Sequence, residues 1–191
     1  NFAAIVCEVD KHLADDATIT SDAGNFGSFV HRYIGFRQSQ VFLSSIVGAM
    51  GSGMPMAVAA AMRRPGTQVV CFIGDGGALM MGNELATAIQ YGAAPIMVIS
   101  DNSMYGTIGM HSYVRYPDRA FMDGTRLTNP DFAAWARTFG AEGITIESED
   151  EVADGIAAAF AVKTKPVVVH CKTSALQMNA WRRYGKAETL P

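Results

Sequence analysis

Two short, uninterrupted apolar runs with a helical pattern between them constrain the fold of this chain more than any other feature. The runs are residues 69–73 (VVCFI) and 95–100 (PIMVIS). Continuous apolar runs of this length are typical of parallel strands that helices cover on both faces. Between them, residues from about 77 to 91 keep helical spacing, and Gly92 ends the pattern. The sequence therefore predicts a β-α-β unit of a parallel sheet.

Helix and strand signals alternate along the rest of the chain. Residues 2–13 have the spacing of an amphipathic helix, 18–20 resemble a short strand, and 21–25 have the composition of a turn. A helix is predicted from Pro55 to Met62, and residues 167–169 give a last strand.

Two further helices are predicted from their capping residues. Asn129 is interpreted as an N-cap, followed by Pro130 in the first turn and by Asp131, whose charge suits the helix dipole. Ser148 and Glu151 have the spacing of a capping box that opens the next helix. The alternation predicts an α/β fold: a doubly wound, mostly parallel sheet with helices on both faces, over residues 1–175, with a C-terminal tail at 176–191.

Composition excludes several classes of protein. The 191 residues are 49% hydrophobic and 17% charged, as expected of one globular domain, and the net charge of -3 gives no reason to expect nucleic acid. Cys7, Cys71 and Cys171 form no CxxC pair, which favours reduced thiols in a cytoplasmic protein. We see no secretory signal. Residues 38–62 carry no charge, but serines, glycines and Pro55 interrupt them, so we expect a buried loop entering a buried helix, not a membrane span.

A predicted ion site lies where the two apolar strands end. Asp75 follows the first strand within Gly74-Asp-Gly-Gly77, and Asn102 follows the second. A helix of about 14 residues and a strand of six have similar lengths, so both strand ends meet on one side of the sheet. There, a carboxylate and an amide oxygen, completed by a backbone carbonyl and a diphosphate, suit magnesium.

These residues also have simpler interpretations. Asp75 alone suits a turn, and Asn102 alone an Asx-turn. A dinucleotide-binding loop is disfavoured because Leu79 replaces the third glycine of GxGxxG and an acid lies between the first two. No GxxxxGK[ST] motif occurs.

The wider sequence resembles the acetolactate synthase group of thiamine-diphosphate enzymes, in its C-terminal, diphosphate-binding domain. GDGG and the later Asn102 are similar to the GDG…N motif of that family. The segment 45–55 (SIVGAMGSGMP) resembles its GTMGxGxP, 82–92 (GNELATAIQYG) its GQELATAVQYG helix, and 102–108 (NSMYGTI) its turn after the asparagine. The resemblance runs from about residue 17 to 169.

The resemblance implies a set of binding residues for thiamine diphosphate and Mg²⁺. Asp75 and Asn102 would ligate the ion by side chain and Met104 by its carbonyl oxygen, whereas Asp101 is interpreted as a residue that either supports these ligands from behind or is purely structural. Met50 matches the apolar wedge that bends the cofactor, next to Gly48, which would contact the aminopyrimidine. Phe26 stands where the family usually has histidine. The implied cofactor-binding residues are Gly24, Asn25, Gly48, Met50, Gly74, Gly76, Gly77, Tyr105, Gly106, Thr107 and Ile108.

The resemblance also implies a partner. The family's glutamate that protonates the pyrimidine lies on a pyrimidine-binding domain, which nothing here resembles, so we expect that domain in the same full-length chain or in a separate subunit, and this chain alone to be inactive. The implied activity is decarboxylation of a 2-oxo acid with carboligation, in a homodimer or tetramer. Simple 2-oxo acid decarboxylation, oxalyl-CoA decarboxylation and a non-catalytic cofactor-binding module remain alternatives.

Several polar residues are weaker candidates. His31 and His111 could shuttle protons, although structural histidines are commoner. Three arginines could meet an anionic substrate or simply lie in a solvated loop: Arg115, Arg119 and Arg126. Trp181, Arg182 and Arg183 suggest a surface or interface segment.

Overall fold

A six-stranded sheet forms the centre of the domain. The computed structural model describes residues 1–116, 118 and 123–184. The strands are β1 Thr18–Ser21, β2 Val41–Ser44, β3 Val69–Gly74, β4 Ile96–Asp101, β5 Glu142–Ile146 and β6 Val167–Lys172. Their order is β2-β1-β3-β4-β6-β5, and all neighbouring pairs are parallel. The predicted doubly wound α/β fold is confirmed.

Helices cover both faces of this sheet. They are α1 Phe2–His12, α2 Gly27–Tyr33, α3 Gly53–Arg63, α4 Asp75–Met81, α5 Glu84–Gln90, α6 Gly106–Arg115, α7 Phe132–Thr138 and α8 Val152–Ala161. One apolar cluster joins α1, α2 and α8 to the first face, and a second joins α3, α4, α5 and α7 to the other. Both faces of the central strands are therefore buried, which explains their unbroken apolar sequence.

The course of the chain opens a cleft at the carboxyl ends of the strands. After β1 the chain enters α2 on the first face, whereas after β3 it enters α4 on the second face. Two neighbouring parallel strands whose following helices lie on opposite faces leave a crevice between their ends, where ligands of open α/β sheets bind. The predicted ion ligands lie at this end of the sheet.

The single helix predicted over about residues 77–91 is wrong. The structure has two helices, α4 and α5, and α4 already begins at Asp75. The break falls at Gly82, where a Cβ atom would lie 2.3 Å from the Trp135 ring of α7. The glycine lets that indole pack against the backbone at the break, and local helical spacing does not reveal a contact with a residue so distant in sequence.

The predicted N-cap Asn129 is also wrong. Asp131 caps α7, because its Oδ1 accepts hydrogen bonds from the N–H groups of Ala133 and Ala134 at 2.9 and 3.0 Å. Asn129 turns its side chain toward the ends of β3 and β4 instead. The predicted capping box of Ser148 and Glu151 is confirmed, and it opens the turn that leads into α8.

The uncharged segment 38–62 is less buried than predicted. It contains β2, then a loop in which Ile46 is fully exposed and Val47 is 81% exposed, then the buried helix α3. The expectation of a buried loop is therefore wrong, although that of a buried helix is confirmed. None of the helices in the described part of the chain has the length and apolar character needed to cross a bilayer.

All three cysteines lie within the described residues and are free. Cys7 is exposed, whereas Cys71 and Cys171 are buried in the sheet. Burial raises the pKa of the Cys71 thiol to about 12, so it stays protonated at neutral pH.

Candidate functional site

The ends of β3 and β4 are adjacent, as the sequence predicts. Gly74, the last residue of β3, pairs in register with Ser100 near the end of β4. Asp75 is the next residue after β3, and Asp101 and Asn102 end and follow β4. Asp75 and Asn102 line the same cavity. The two predicted side-chain ligands therefore lie together at the carboxyl ends of β3 and β4.

Asp75 is a buried carboxylate without a cationic partner among the described residues. Only 2% of the residue is exposed. Its Oδ1 accepts the N–H of Gly76 at 2.9 Å, and its Oδ2 accepts Nδ2 of Asn129 at 2.8 Å. Burial raises the pKa of Asp75 to about 6, the two hydrogen bonds lower it only in part, and the neighbouring Asp101 raises it further. A negative charge here is unfavourable until a cation approaches.

Asp101 has the opposite environment. Burial disfavours its ionised form, but hydrogen bonds from His170, Lys172 and Asn129 outweigh this and hold the pKa of Asp101 well below its usual range. Its Oδ2 contacts Nε2 of His170 at 2.8 Å and Nζ of Lys172 at 2.7 Å. Nδ1 of His170 accepts the N–H of Phe132, which leaves Nε2 as the donor to Asp101. The carboxylate of Asp101 is thus fully engaged within the protein.

Asp101 also shapes the turn that carries the other two predicted ligands. Its Oδ1 accepts both the N–H and the hydroxyl of Ser103, at 3.0 and 3.2 Å. Ser103 has a φ of 56°, a left-handed conformation that is uncommon for residues other than glycine. This turn places Asn102 and Met104 on either side of Ser103. A structural role for Asp101 agrees with these contacts.

The oxygens of Asn102 and Met104 have local partners but retain free acceptor capacity. Oδ1 of Asn102 accepts the N–H of Met104 at 3.3 Å, which is the Asx-turn that Asn102 alone would suit. The Met104 carbonyl accepts the N–H of Gly106 at 2.8 Å. Each oxygen has a second lone pair. With Asp75, the cavity thus offers one carboxylate, one amide oxygen and one carbonyl, which are hard oxygen donors suited to magnesium.

Asp22, at the end of β1, is a site residue that sequence reasoning missed. It is 3% exposed, and its carboxylate accepts the N–H groups of Gly51 and Gly53 at 2.9 and 3.1 Å. It also accepts the hydroxyl of Ser52 at 3.2 Å. These bonds fix the loop that carries Met50. The signal for Asp22 is its position, because it directly follows a strand, as Asp75 does.

Side chains from two loops meet over Gly76, at the start of α4. A Cβ atom there would lie 2.5 Å from the Tyr105 ring and 3.3 Å from the Met50 methyl group, so both side chains meet over this glycine. On the β1 side, Oδ1 of Asn25 accepts the hydroxyl of Thr107 at 3.1 Å. The segments that follow β1, β3 and β4, together with the Met50 loop, thus form one site.

The cavity between these loops has a volume of about 210 Å³. All the predicted cofactor and ion residues line it except Gly77, which packs against Asp22: a Cβ at Gly77 would lie 2.1 Å from Oδ2 of Asp22. Phe26, in place of the expected histidine, also lines the cavity. The roles of these residues in binding remain predictions.

None of the weaker candidates among the described residues lines the cavity, although Arg126 pairs through its backbone with Met104. His31 is exposed on α2 and contacts the ring of Phe42, and His111 is exposed on α6; neither lines the cavity. Arg126 contacts Asp123 at 3.8 Å, and Arg115 is exposed at the end of α6. Arg119 lies outside the described residues.

The cavity has a further wall that the sequence did not predict. Phe2 and Phe29 line it from the first face of the sheet, and residues after β6 line it from the other side: Thr173, Ser174, Gln177 and Met178. Residues 176–184, the described part of the predicted tail, pack against the domain. The N–H of Ala180 donates to Oγ of Ser28 at 2.9 Å. Trp181 is 63% exposed and Arg182 and Arg183 are also exposed, as expected of a surface segment.

Comparison with known proteins identifies the family of this chain. Residues 22–171 match the family model of the thiamine pyrophosphate enzyme C-terminal TPP-binding domain. The chain belongs to this family. It is 30% identical over 151 residues to an acetolactate synthase of Bacillus subtilis, covering 78% of this chain and 26% of the relative. It is 32% identical over 163 residues to the acetolactate synthase large subunit of Parasynechococcus marenigrum, covering 85% and 26%.

The fold of this thiamine pyrophosphate-binding domain also matches a solved structure. The thiamine diphosphate-dependent 4-hydroxybenzoylformate decarboxylase of Rhodococcus jostii superposes with a TM-score of 0.82 at 22% identity, over 91% of this chain and 32% of that one. The chain thus spans about a quarter to a third of the length of these full-length proteins.

Proposed function

We propose that this chain forms the diphosphate- and magnesium-binding half of the active site of an acetolactate synthase-like enzyme. The observation that carries the proposal is the arrangement at the strand ends. Buried Asp75 has no cationic partner among the described residues, and it lines one cavity with Asn102 and Met104. A divalent ion would supply the missing positive charge.

The residues present fit thiamine diphosphate with Mg²⁺. Asp75, Asn102 and Met104 would hold the ion through a carboxylate, an amide and a carbonyl oxygen. The first turn of α6, from Gly106, lines the cavity, and its Thr107 and Ile108 N–H groups have no partner within the helix. Free N–H groups at the positive end of a helix favour a diphosphate. When bound, the cofactor would supply carbanion chemistry at its thiazolium C2.

The Met50 loop would bind the other end of the cofactor. Met50 projects over Gly76, beside the proposed diphosphate position, and the carboxylate of Asp22 holds its loop. The Gly48 carbonyl and the Met50 N–H would pair with the aminopyrimidine. A bulky side chain at this point would force the bound cofactor to bend, which brings its amino group toward the reacting carbon.

Two features of this half-site support a requirement for a pyrimidine-binding domain. The cavity of about 210 Å³ is smaller than the roughly 300–1,000 Å³ of usual ligand pockets. Exposed apolar side chains also lie beside it: Ile46, Val47 and Met50 on one loop, and Met80 and Met81 against Gly51 of the same loop. Exposed apolar surface of this kind marks protein–protein contacts. Covering it with a pyrimidine-binding domain would close the cavity and bring the glutamate that this half lacks.

For the complete enzyme we propose a cytoplasmic homodimer or tetramer that decarboxylates a 2-oxo acid and transfers the carbanion to a second carbonyl compound. The support for this reaction is the similarity of the chain to the two acetolactate synthases described above. Decarboxylation without transfer, of a 2-oxo acid or of oxalyl-CoA, is the nearest alternative.

Reconstitution tests this function. The chain is combined with the pyrimidine-binding domain of a relative, Mg²⁺ and thiamine diphosphate, and pyruvate consumption and acetolactate formation are followed. We expect turnover only when both halves are present. Release of an aldehyde without acetolactate would instead indicate a simple decarboxylase. Cofactor binding without turnover with any partner would favour a non-catalytic module. As a control, the Asp75→Ala variant should give no turnover under any of these conditions.

A further inference from the structure

Asn129 forms a bridge between two carboxylates. It lies on the segment before α7, and its Nδ2 atom is 2.8 Å from Oδ2 of Asp75 and 2.6 Å from Oδ1 of Asp101. An amide nitrogen carries two hydrogens, so both are used. The reverse orientation would place the amide oxygen against two carboxylates, and it is excluded by repulsion. The ends of β3 and β4 are therefore joined by one side chain from 54 and 28 residues away, respectively.

The other end of this amide is left without a partner. Oδ1 of Asn129 is buried and accepts no hydrogen bond from the described residues. A buried, unpaired carbonyl oxygen is unfavourable, and such groups are few in folded proteins. The two hydrogen bonds donated by Nδ2 therefore explain why an asparagine lies at this position, since an apolar side chain of similar shape would avoid the unpaired oxygen.

The bridge divides the two carboxylates into different roles. Asp101 is saturated, because His170 and Lys172 contact its Oδ2 while Ser103 and Asn129 contact its Oδ1. Among the described residues, Asp75 accepts hydrogen bonds only from Gly76 and Asn129. Of these two carboxylates, only that of Asp75 thus keeps free lone pairs, and it lines the cavity.

We propose that Asn129 is a positioning residue for the divalent-cation site, which fixes the rotation of the Asp75 carboxylate and ties it to the turn that carries Asn102 and Met104. The inference rests on the proposed function. A ligand held by a second group needs less reordering when the ion binds, and partners behind metal ligands commonly change metal affinity by about 10- to 100-fold.

The test measures ion binding and not activity. Mn²⁺ replaces Mg²⁺, and its dissociation constant is measured by electron paramagnetic resonance on the full chain with saturating thiamine diphosphate. We expect Asn129→Leu to weaken Mn²⁺ binding at least about 10-fold. Asn129→Ala should also weaken it measurably, but less, because a water molecule in the vacated space can donate to both carboxylates but is not held in place by the chain. The control, Asn83→Leu, changes an exposed asparagine that makes no capping bond and should bind as the wild type does.

The outcomes separate this inference from the proposed function. If the wild type binds Mn²⁺ only with the cofactor and both Asn129 variants bind it equally well, Asn129 has no positioning role. If the wild type shows no cofactor-dependent Mn²⁺ binding, the ion site itself is wrong. Should the leucine variant fail to fold, the alanine variant decides: unchanged Mn²⁺ affinity in a folded Asn129→Ala chain overturns the inference.

Discussion

Replacing Asp75 by asparagine should stabilise the metal-free chain while abolishing ion binding. The folded pKa of this carboxyl is about 6 and its ordinary value is 3.8. At about 1.36 kcal/mol per pH unit of difference, the ionised carboxylate costs the folded state about 3 kcal/mol at pH 7. Asparagine removes the charge but loses one acceptor, worth about 1 kcal/mol. We therefore expect a net gain of about 2 kcal/mol in the free energy of unfolding.

The expected gain in the free energy of unfolding depends on pH. Because the folded pKa is raised, the folded wild type binds more protons than the unfolded chain between about pH 4 and pH 6, so this carboxyl lowers stability as the pH rises through that window. Above about pH 6 the loss is complete. The Asp75→Asn variant lacks this loss, so its gain over the wild type should be present at pH 7 and vanish near pH 4.

Urea unfolding of both chains in chelator at pH 4 and pH 7 measures these differences. For a chain of this size, about 2 kcal/mol corresponds to roughly 4–8 °C in melting temperature. Adding Mg²⁺ and thiamine diphosphate should reverse the order, since ligand at about 100 times its dissociation constant stabilises only the wild type, by about 2.7 kcal/mol. Asp15→Asn, at a carboxylate that is 91% exposed, is the control. An Asp75→Asn chain no more stable than the wild type at pH 7 would refute the reasoning.

Two further substitutions test the Met50 loop. Asp22→Ala removes the acceptor of three hydrogen bonds and should lower the free energy of unfolding by about 3 kcal/mol in urea titrations; a change below about 1 kcal/mol would mean that this carboxylate does not hold the loop. Met50→Ala should leave Mg²⁺-dependent diphosphate binding to the chain unchanged in calorimetry. In the enzyme reconstituted with a pyrimidine-binding domain it should lower kcat by at least about 10-fold, because the cofactor would no longer be forced to bend. An unchanged kcat would mean that Met50 does not act as a wedge.

The central strands could be predicted from the sequence, whereas the edges could not. β3, β4 and β6 are buried on both faces, so each contains a continuous apolar run. β2 and β5 lie at the two edges of the sheet and are only partly buried. β5 has no continuous apolar run, and the three apolar residues of β2, 41–43, belong to the uncharged segment interpreted as a loop, so both strands were missed. The short helices α2 and α6 were missed as well.

The ion ligands could be predicted where polar residues directly follow strands. Asp75 and Asn102 follow strands that the sequence reveals, so their closeness at the carboxyl ends of these strands follows from parallel topology alone. Asn129 and Asp131 illustrate the limit, because both residue types cap helices. Only the folded chain shows that Asp131 caps α7 and that Asn129 reaches Asp75, 54 residues away. Contacts of that separation leave no trace in local spacing.

The ion position is tested most directly by anomalous diffraction from crystals grown with Mn²⁺ and thiamine diphosphate. We expect one strong peak within about 2.5 Å of three oxygens, a carboxylate oxygen of Asp75, Oδ1 of Asn102 and the carbonyl of Met104, with the diphosphate completing the shell. A peak bound by other residues, or diphosphate density with no ion between these oxygens, would contradict the assignment.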